Sequence, residues 1–274
     1  MHPLAKDVIS QMDARRVRRA TAERGGSLGR SGQGLRAAGG GRRPAWSDAI
    51  IICPWTIYLC YGDRSILENS YEAMGRFLDF IARELVRDIE RRGFHLATGL
   101  VGTPYILDVL EANGFLEIAY RLLEQETFPS WLFPVTNGAT TIWERWDGWT
   151  PEKGFQDKGM NSFNHYAYGA VGAWMYRSVA GLELKAEDPG YRHIIFRPRP
   201  GGSITSAHAE LKTPQGPTGI SWRIEGTNLV VEAFVPAGAR ATFSPPPGYV
   251  SQAAEWGPGQ HLIVLTKAAL SISD

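Results

Sequence analysis

The chain has 274 residues, 43% hydrophobic and 21% charged, which allows one large domain or two modest ones and a sizeable core. No apolar run approaches the ~18 residues of a membrane span, so an integral membrane protein is excluded. The start, Met1-His2-Pro3-Leu4-Ala5-Lys6, lacks the apolar core of a signal peptide, which favours the cytoplasm. Cys53 and Cys60 are the only cysteines, which excludes a disulfide scaffold and a Cys-based zinc cluster. Seven residues of helix separate them by ~10.5 Å, too far for a disulfide. They read as reduced, small apolar residues of structural use.

The formal net charge of +1 is unevenly spread. Residues 1–45 hold ten Lys/Arg and three Asp/Glu; the remainder holds 19 and 25. The stretch 25–41 contains eight glycines and almost no large apolar side chain. Such a segment buries too little surface to offset its chain entropy, so 1–45 is expected to be a disordered, basic tail. It has no aromatic residue before Trp46 to stack on a base, and nucleic acid is not an expected partner.

Helices are expected from 46 to about 181. Trp46 to Tyr61 is apolar nearly all round, as a buried helix would be, with Ser47 and Asp48 as caps and Gly62 as its stop. Ser65-x-x-Glu68 fits a capping box. Behind it Tyr71, Met74, Leu78, Ile81, Leu85 and Ile89 recur every three or four residues up to Gly93. Thr103-Pro104 reads as a cap with proline at the first helical position, opening a helix to Gly114, with a partner from Phe115 to about Gln125. A further helix is expected from about Ser162 to Ala180, stopped by Gly181. Short connections suggest antiparallel helical hairpins.

The pattern changes after Pro189. Arg192–Arg197, Ser206–Lys212, Ile220–Ile224, Leu229–Val235, Ala241–Ser244 and Leu262–Thr266 read as short strands. Glu225-Gly226-Thr227-Asn228 joins two of them as a hairpin. A β-sandwich is expected over 189–274.

The segment 128–176 carries twelve of the thirty aromatic residues of the chain in 49 positions, with Glu144, Arg145, Asp147, Asn161, Asn164 and His165 among them. Aromatic faces beside fixed donors and acceptors suit a sugar; an aromatic core between helices is the plain alternative. Within Trp143-Glu144-Arg145-Trp146-Asp147, a carboxylate between two indoles is partly desolvated, which raises its pKa, while the adjacent Arg145 opposes that shift. Such a carboxylate can activate water or stabilise a cationic sugar transition state. An Arg–Glu pair that orients a loop is the other reading. His165 can hydrogen-bond a sugar hydroxyl, or serve as a buried structural histidine.

Several stretches, in order, resemble the C-terminal part of bacterial α-L-rhamnosidases of glycoside hydrolase family 78. They are Trp46-Ser47-Asp48-Ala49 with Pro54-Trp55-Thr56, Leu100-Val101-Gly102-Thr103-Pro104-Tyr105, Tyr120-Arg121-Leu122-Leu123 and Pro129-Ser130-Trp131-Leu132. Gly138 to Gly148 and Met160 to Gly169 are the strongest. The resemblance implies a mainly α fold with a β domain: part of an (α/α)6 toroid over 46–188, then an antiparallel β-sandwich. It implies inverting hydrolysis of terminal α-L-rhamnosides without metal or cofactor. It places the general base on Glu144 and substrate contacts on Trp46, Trp143 and His165. The family's acidic motif, Asp-Glu-Arg-Leu-Gly-Trp, has no counterpart in 1–45, and a family segment is missing between about Arg92 and Gly99. The expectation is therefore a fragment with one assigned carboxylate, Asp48 and Asp147 being possible substitutes for the acid. The alternative is a non-catalytic carbohydrate-binding or structural remnant.

Overall fold

The computed structural model describes residues 49–268. The expected tail at 1–45, Trp46 and Asp48 lie outside the described residues. The chain divides into two compact units between Asp88 and Ile89.

The first unit contains helix α1 (Ala49–Tyr61) and most of helix α2 (Arg64–Arg91). The expected burial of α1 is not met. Ile52 and Leu59 are 55% and 60% exposed, Tyr61 is 81% exposed, and both Cys53 and Cys60 are exposed. An apolar helix needs partners on every side to be buried, and the described residues cover α1 only in part, around Pro54. Helix α2 is capped by Asp63 instead of Ser65: Asp63 Oδ1 accepts hydrogen bonds from the Ser65 amide (2.9 Å) and hydroxyl (2.7 Å). Asp63 directly precedes the first helical residue, where a side-chain oxygen can accept from a free first-turn amide. The buried stripe of α2 in this unit is Leu67, Met74, Ala82 and Val86, while Ile81 lies exposed. The spacing predicts the helix correctly and places Met74 and Ile89 on its buried face, but Ala82 and Val86 are buried in place of Ile81 and Leu85.

The second unit takes up α2 at Ile89 and ends it at Gly93, whose φ of 63° only glycine adopts freely. Helices α3 (Thr103–Ala112) and α4 (Leu116–Leu123) follow and pack together as a hairpin. Thr103 lies inside α3 and its hydroxyl donates back to Gly99 O (2.9 Å), so it is not the cap. A short helix α5 (Leu132–Thr136) and a two-stranded ribbon, β1 (Trp149–Thr150) with β2 (Gly154–Phe155), come next. The helix expected from Ser162 starts only at Ala167. It runs as a 3₁₀ turn (Ala167–Ala170), an α turn α6 (Val171–Trp174) and a π-helix (Met175–Ala180). Trp174 is buried against the edge of Tyr120, and its indole N–H donates to Glu111 (2.9 Å). Ser178 donates to the same carboxylate at 2.5 Å. One acid of α3 thus anchors this helical stretch.

Gly181 closes the stretch at φ 89°, and a Cβ there would lie 2.2 Å from the Pro198 nitrogen. Strand β3 (Leu182–Leu184) follows at once and pairs antiparallel with β4 (His193–Phe196), so the sheet begins ahead of the expected boundary at 189. The remaining strands are β5 (Ser206–Thr213), β6 (Gly216–Glu225), β7 (Asn228–Val235), β8 (Arg240–Phe243), β9 (Tyr249–Val250), β10 (Ala254–Trp256) and β11 (Gly259–Lys267). They form two sheets, in the orders β10-β8-β4-β3 and β5-β6-β7-β11-β9. Pairing is antiparallel except between β4 and β8. The Gly226-Thr227 turn joins β6 and β7 with Glu225 opposite Asn228, as the sequence predicts. Ile194, Phe196, Ile220, Trp222, Leu229, Val231, Val235, Ala241, Phe243 and Leu265 fill the core at alternate strand positions.

Candidate active site

The site is built where two irregular segments of the second unit run beside each other. The Glu144 amide donates to Ser162 O (2.9 Å) and the His165 amide to Ile142 O (2.8 Å). The Thr141 hydroxyl donates to Phe163 O. The fourth tie engages a side chain: the Ser162 amide donates to Glu144 Oε2 at 2.8 Å. These bonds clasp 141–144 to 162–165 and are the reason no helix forms from Ser162. Asn161 braces the far side, its amide donating to Gly148 O (3.1 Å). A Cβ on Gly148 would lie 2.7 Å from Asn161 Oδ1, so a larger residue there would displace the Asn161 side chain.

Glu144 is half-buried, and among the described residues its carboxylate accepts one hydrogen bond, from Ser162. The expected alternative of an Arg145–Glu144 pair is not what forms. Arg145 turns to Asp147, its Nε and Nη2 donating to the two carboxylate oxygens at 2.9 Å each. That fork holds the Asp147 carboxyl below the usual carboxylate range. Asp147 is therefore ionised and a poor source of a proton.

His165 is half-buried two residues before the 3₁₀ turn. Its Nδ1 accepts from the Ala167 amide (3.2 Å). The neutral ring then carries its proton on Nε2, which makes that nitrogen the donor. Tyr166, 87% exposed, lies parallel to the imidazole at 5.2 Å.

The aromatic residues divide between the two roles open to them. Trp143 is only 9% exposed and meets the edge of Phe163 at 5.1 Å, so little of its indole is available to a ligand. Trp146 stacks on Tyr168 at 3.8 Å and donates to Thr98 O (2.9 Å). Trp131 meets Trp146 edge-on and donates to Tyr168 O (3.0 Å). Burial pushes the Tyr168 phenol up, with the Asp147 charge adding to it. These rings are core. Phe155, 74% exposed, and Tyr166 are the most open aromatic side chains of this segment, ahead of Phe128 and Tyr176. Neither Ser162 nor Tyr166 stands out alone in the sequence; both lie inside the Met160–Gly169 stretch, and the clasp gives that stretch its meaning. Among the described residues no cluster of three His, Cys, Asp or Glu could hold a metal ion.

Glu144 and His165 thus sit on two clasped irregular segments, in a helical region that precedes an antiparallel β domain. The family model for the bacterial alpha-L-rhamnosidase 6 hairpin glycosidase domain matches residues 33–85 and 81–179, more than half of the chain. The model for the bacterial alpha-L-rhamnosidase C-terminal domain matches 181–255. The chain belongs to the bacterial α-L-rhamnosidases, as a six-hairpin glycosidase segment followed by the C-terminal β domain.

Among its relatives, an α-L-rhamnosidase of Streptomyces avermitilis is 48% identical over 160 residues, 58% of this chain and 15% of the relative. One from Formosa agariphila is 42% identical over 165 residues, 60% of this chain and 18% of the relative. The chain thus spans less than a fifth of the length of these relatives. The crystal structure of the S. avermitilis enzyme complexed with L-rhamnose matches with a TM-score of 0.64 at 40% identity, over 69% of this chain and 20% of that one. The native Aspergillus terreus enzyme matches with the same TM-score at 26% identity, over 80% of this chain and 29% of that one.

Proposed function

We propose that the clasped loops are the water-activating half of an inverting α-L-rhamnosidase site, with Glu144 as general base and His165 as a donor to a sugar hydroxyl. In inversion, water attacks the anomeric carbon on the face opposite the departing oxygen. As the new C–O bond forms and the glycosidic bond breaks, Glu144 takes the water proton, and a second carboxyl group protonates the leaving oxygen. The observation that carries this reading is the Glu144 carboxylate itself. Ser162 fixes one oxygen, and the Arg145 that could have neutralised it is occupied elsewhere. The relative solved with L-rhamnose supports the choice of sugar.

Asp147 does not fit the acid role, because the two hydrogen bonds donated by Arg145 stabilise its ionised form. An aryl α-L-rhamnoside, whose leaving oxygen is a weak base, is therefore the substrate to use. Glu144→Gln keeps the side-chain volume and removes the base. It is expected to cut turnover by about 10²–10⁴ with the melting temperature unchanged. Undiminished turnover in the variant would remove Glu144 from the mechanism. L-rhamnose binding without turnover in the parent chain would favour the non-catalytic carbohydrate-binding reading, which the commitment of Asp147 to Arg145 also favours.

A further inference from the structure

Glu144 and Asp147 flank one arginine, and the arginine chooses the more distant of the two. The Arg145 guanidinium presents its Nε and Nη2 edge to both oxygens of Asp147 in a bidentate fork, while Glu144 takes only the Ser162 amide. An Arg–carboxylate fork is planar, charge-assisted and directional, so a guanidinium so engaged is not available to a second acid. We infer that Asp147 is a positioning residue of this site: it holds Arg145 off Glu144 and leaves Glu144 as the carboxylate with oxygens open to water. This rests on the reading of Glu144 as the base. It assigns Asp147 a role as counter-charge to the arginine, in place of the acid role considered from sequence.

Other charges reach the same loop. Asp157 acts on Arg145, Lys153 acts on Asp147, and the Tyr168 phenol senses Glu144, Arg145 and Asp147 together. None of them forms the fork; with Asp147 removed, the carboxylates left to Arg145 are Asp157 and its sequence neighbour Glu144.

The test follows the Glu144 side-chain carboxyl by 13C NMR as the pH is varied, in the full chain and in three variants whose melting temperatures are checked first. In Asp147→Asn, Glu144 is expected to titrate at lower pH than in the parent, because Arg145 now stabilises its anion. Adding Arg145→Met to Asp147→Asn is expected to reverse that displacement. Asp147→Glu keeps a carboxylate for Arg145 and is expected to leave the Glu144 titration at its parent position. A role limited to loop shape predicts that Asp147→Glu behaves like Asp147→Asn and that Arg145→Met reverses nothing. That result, or a Glu144 titration unmoved in Asp147→Asn, would overturn the inference. The readout needs no turnover, so it fails or succeeds apart from the Glu144→Gln assay that tests the base.

Discussion

The β domain and helix α1 are both rich in apolar residues, yet they end in opposite states. In the β domain every second strand residue points into one core, and Trp222, Phe196, Phe243, Ile220 and Leu229 are nearly or fully buried. Their polar atoms are satisfied as well: the Trp222 indole donates to Val179 O at 2.7 Å. Helix α1 shows Ile50, Ile52, Ile57, Leu59 and Tyr61 to solvent, and the buried Trp55 indole N–H has no partner among the described residues. The difference teaches that an alternating strand carries its partners nearby in sequence, as hairpin neighbours. A helix that is apolar all round takes its partners from elsewhere in a larger assembly of helices. The family match agrees with that contrast, since a six-hairpin domain is the larger unit to which this helical segment corresponds.

The sharpest way to break the contrast is to hollow out the complete core. Trp222→Ala removes a buried indole and leaves the Val179 carbonyl without its donor. It is expected to cost about 3–5 kcal/mol, read as a fall in the denaturation midpoint. A loss below 1 kcal/mol would show that the β core is looser than its burial implies.

Acid gives a smaller and more selective effect on the same domain. His193 is buried, its Nδ1 accepting from Arg240 (3.1 Å) and its other nitrogen paired with Thr242 (2.7 Å). Burial holds its pKa below the ordinary value, with Lys185 and Arg240 adding to the shift. The unfolded chain therefore binds a proton near pH 6.5 that the folded domain refuses. Stability is full above the unfolded pKa and falls as pH drops below it, with a slope for this one proton of at most about 1.4 kcal/mol per pH unit. Unfolding midpoints measured from pH 8 to pH 5 check this, and His193→Gln is expected to flatten the slope. An unchanged slope in the variant would locate the proton elsewhere.

The smallest change is expected on α1. Leu59→Glu replaces an exposed leucine and is expected to move stability by no more than about 0.5 kcal/mol, while lowering the binding of a hydrophobic dye. A large destabilisation would mean that α1 is covered in solution.

Much of this contrast is legible in the sequence, and the exceptions have physical causes. The β6–β7 hairpin could be read from Gly226-Thr227 between alternating strands, and the helix stops at Gly93 and Gly181 from glycines that accept a left-handed backbone. Strand β3 was not legible, because three residues directly after a helix show no period. The exposure of α1 was not legible, because composition reports what a helix would bury and not whether partners are present. At the site, Glu144 and His165 stood out through the resemblance. The clasp that joins them did not, since bonds such as Ser162 N–H to Glu144 link irregular segments eighteen residues apart. The partner of Arg145 was equally hidden: sequence placed Glu144 and Asp147 both within reach, and only geometry selects the fork.

Sugar binding at the clasped loops is the central claim, and one measurement tests it without requiring turnover. L-rhamnose is titrated into the isotopically labelled chain and the amide shift changes are mapped. They are predicted to concentrate on 141–148 and 161–167, with the Ser162 amide, bonded to Glu144, among the most affected. The rival location is the ~510 Å³ depression on the outer face of the five-stranded sheet, floored by Gly219 and Ser221 and flanked by Glu210, Glu232 and Phe234. Shifts confined to that depression, or none at the loops at saturating sugar, would contradict the account.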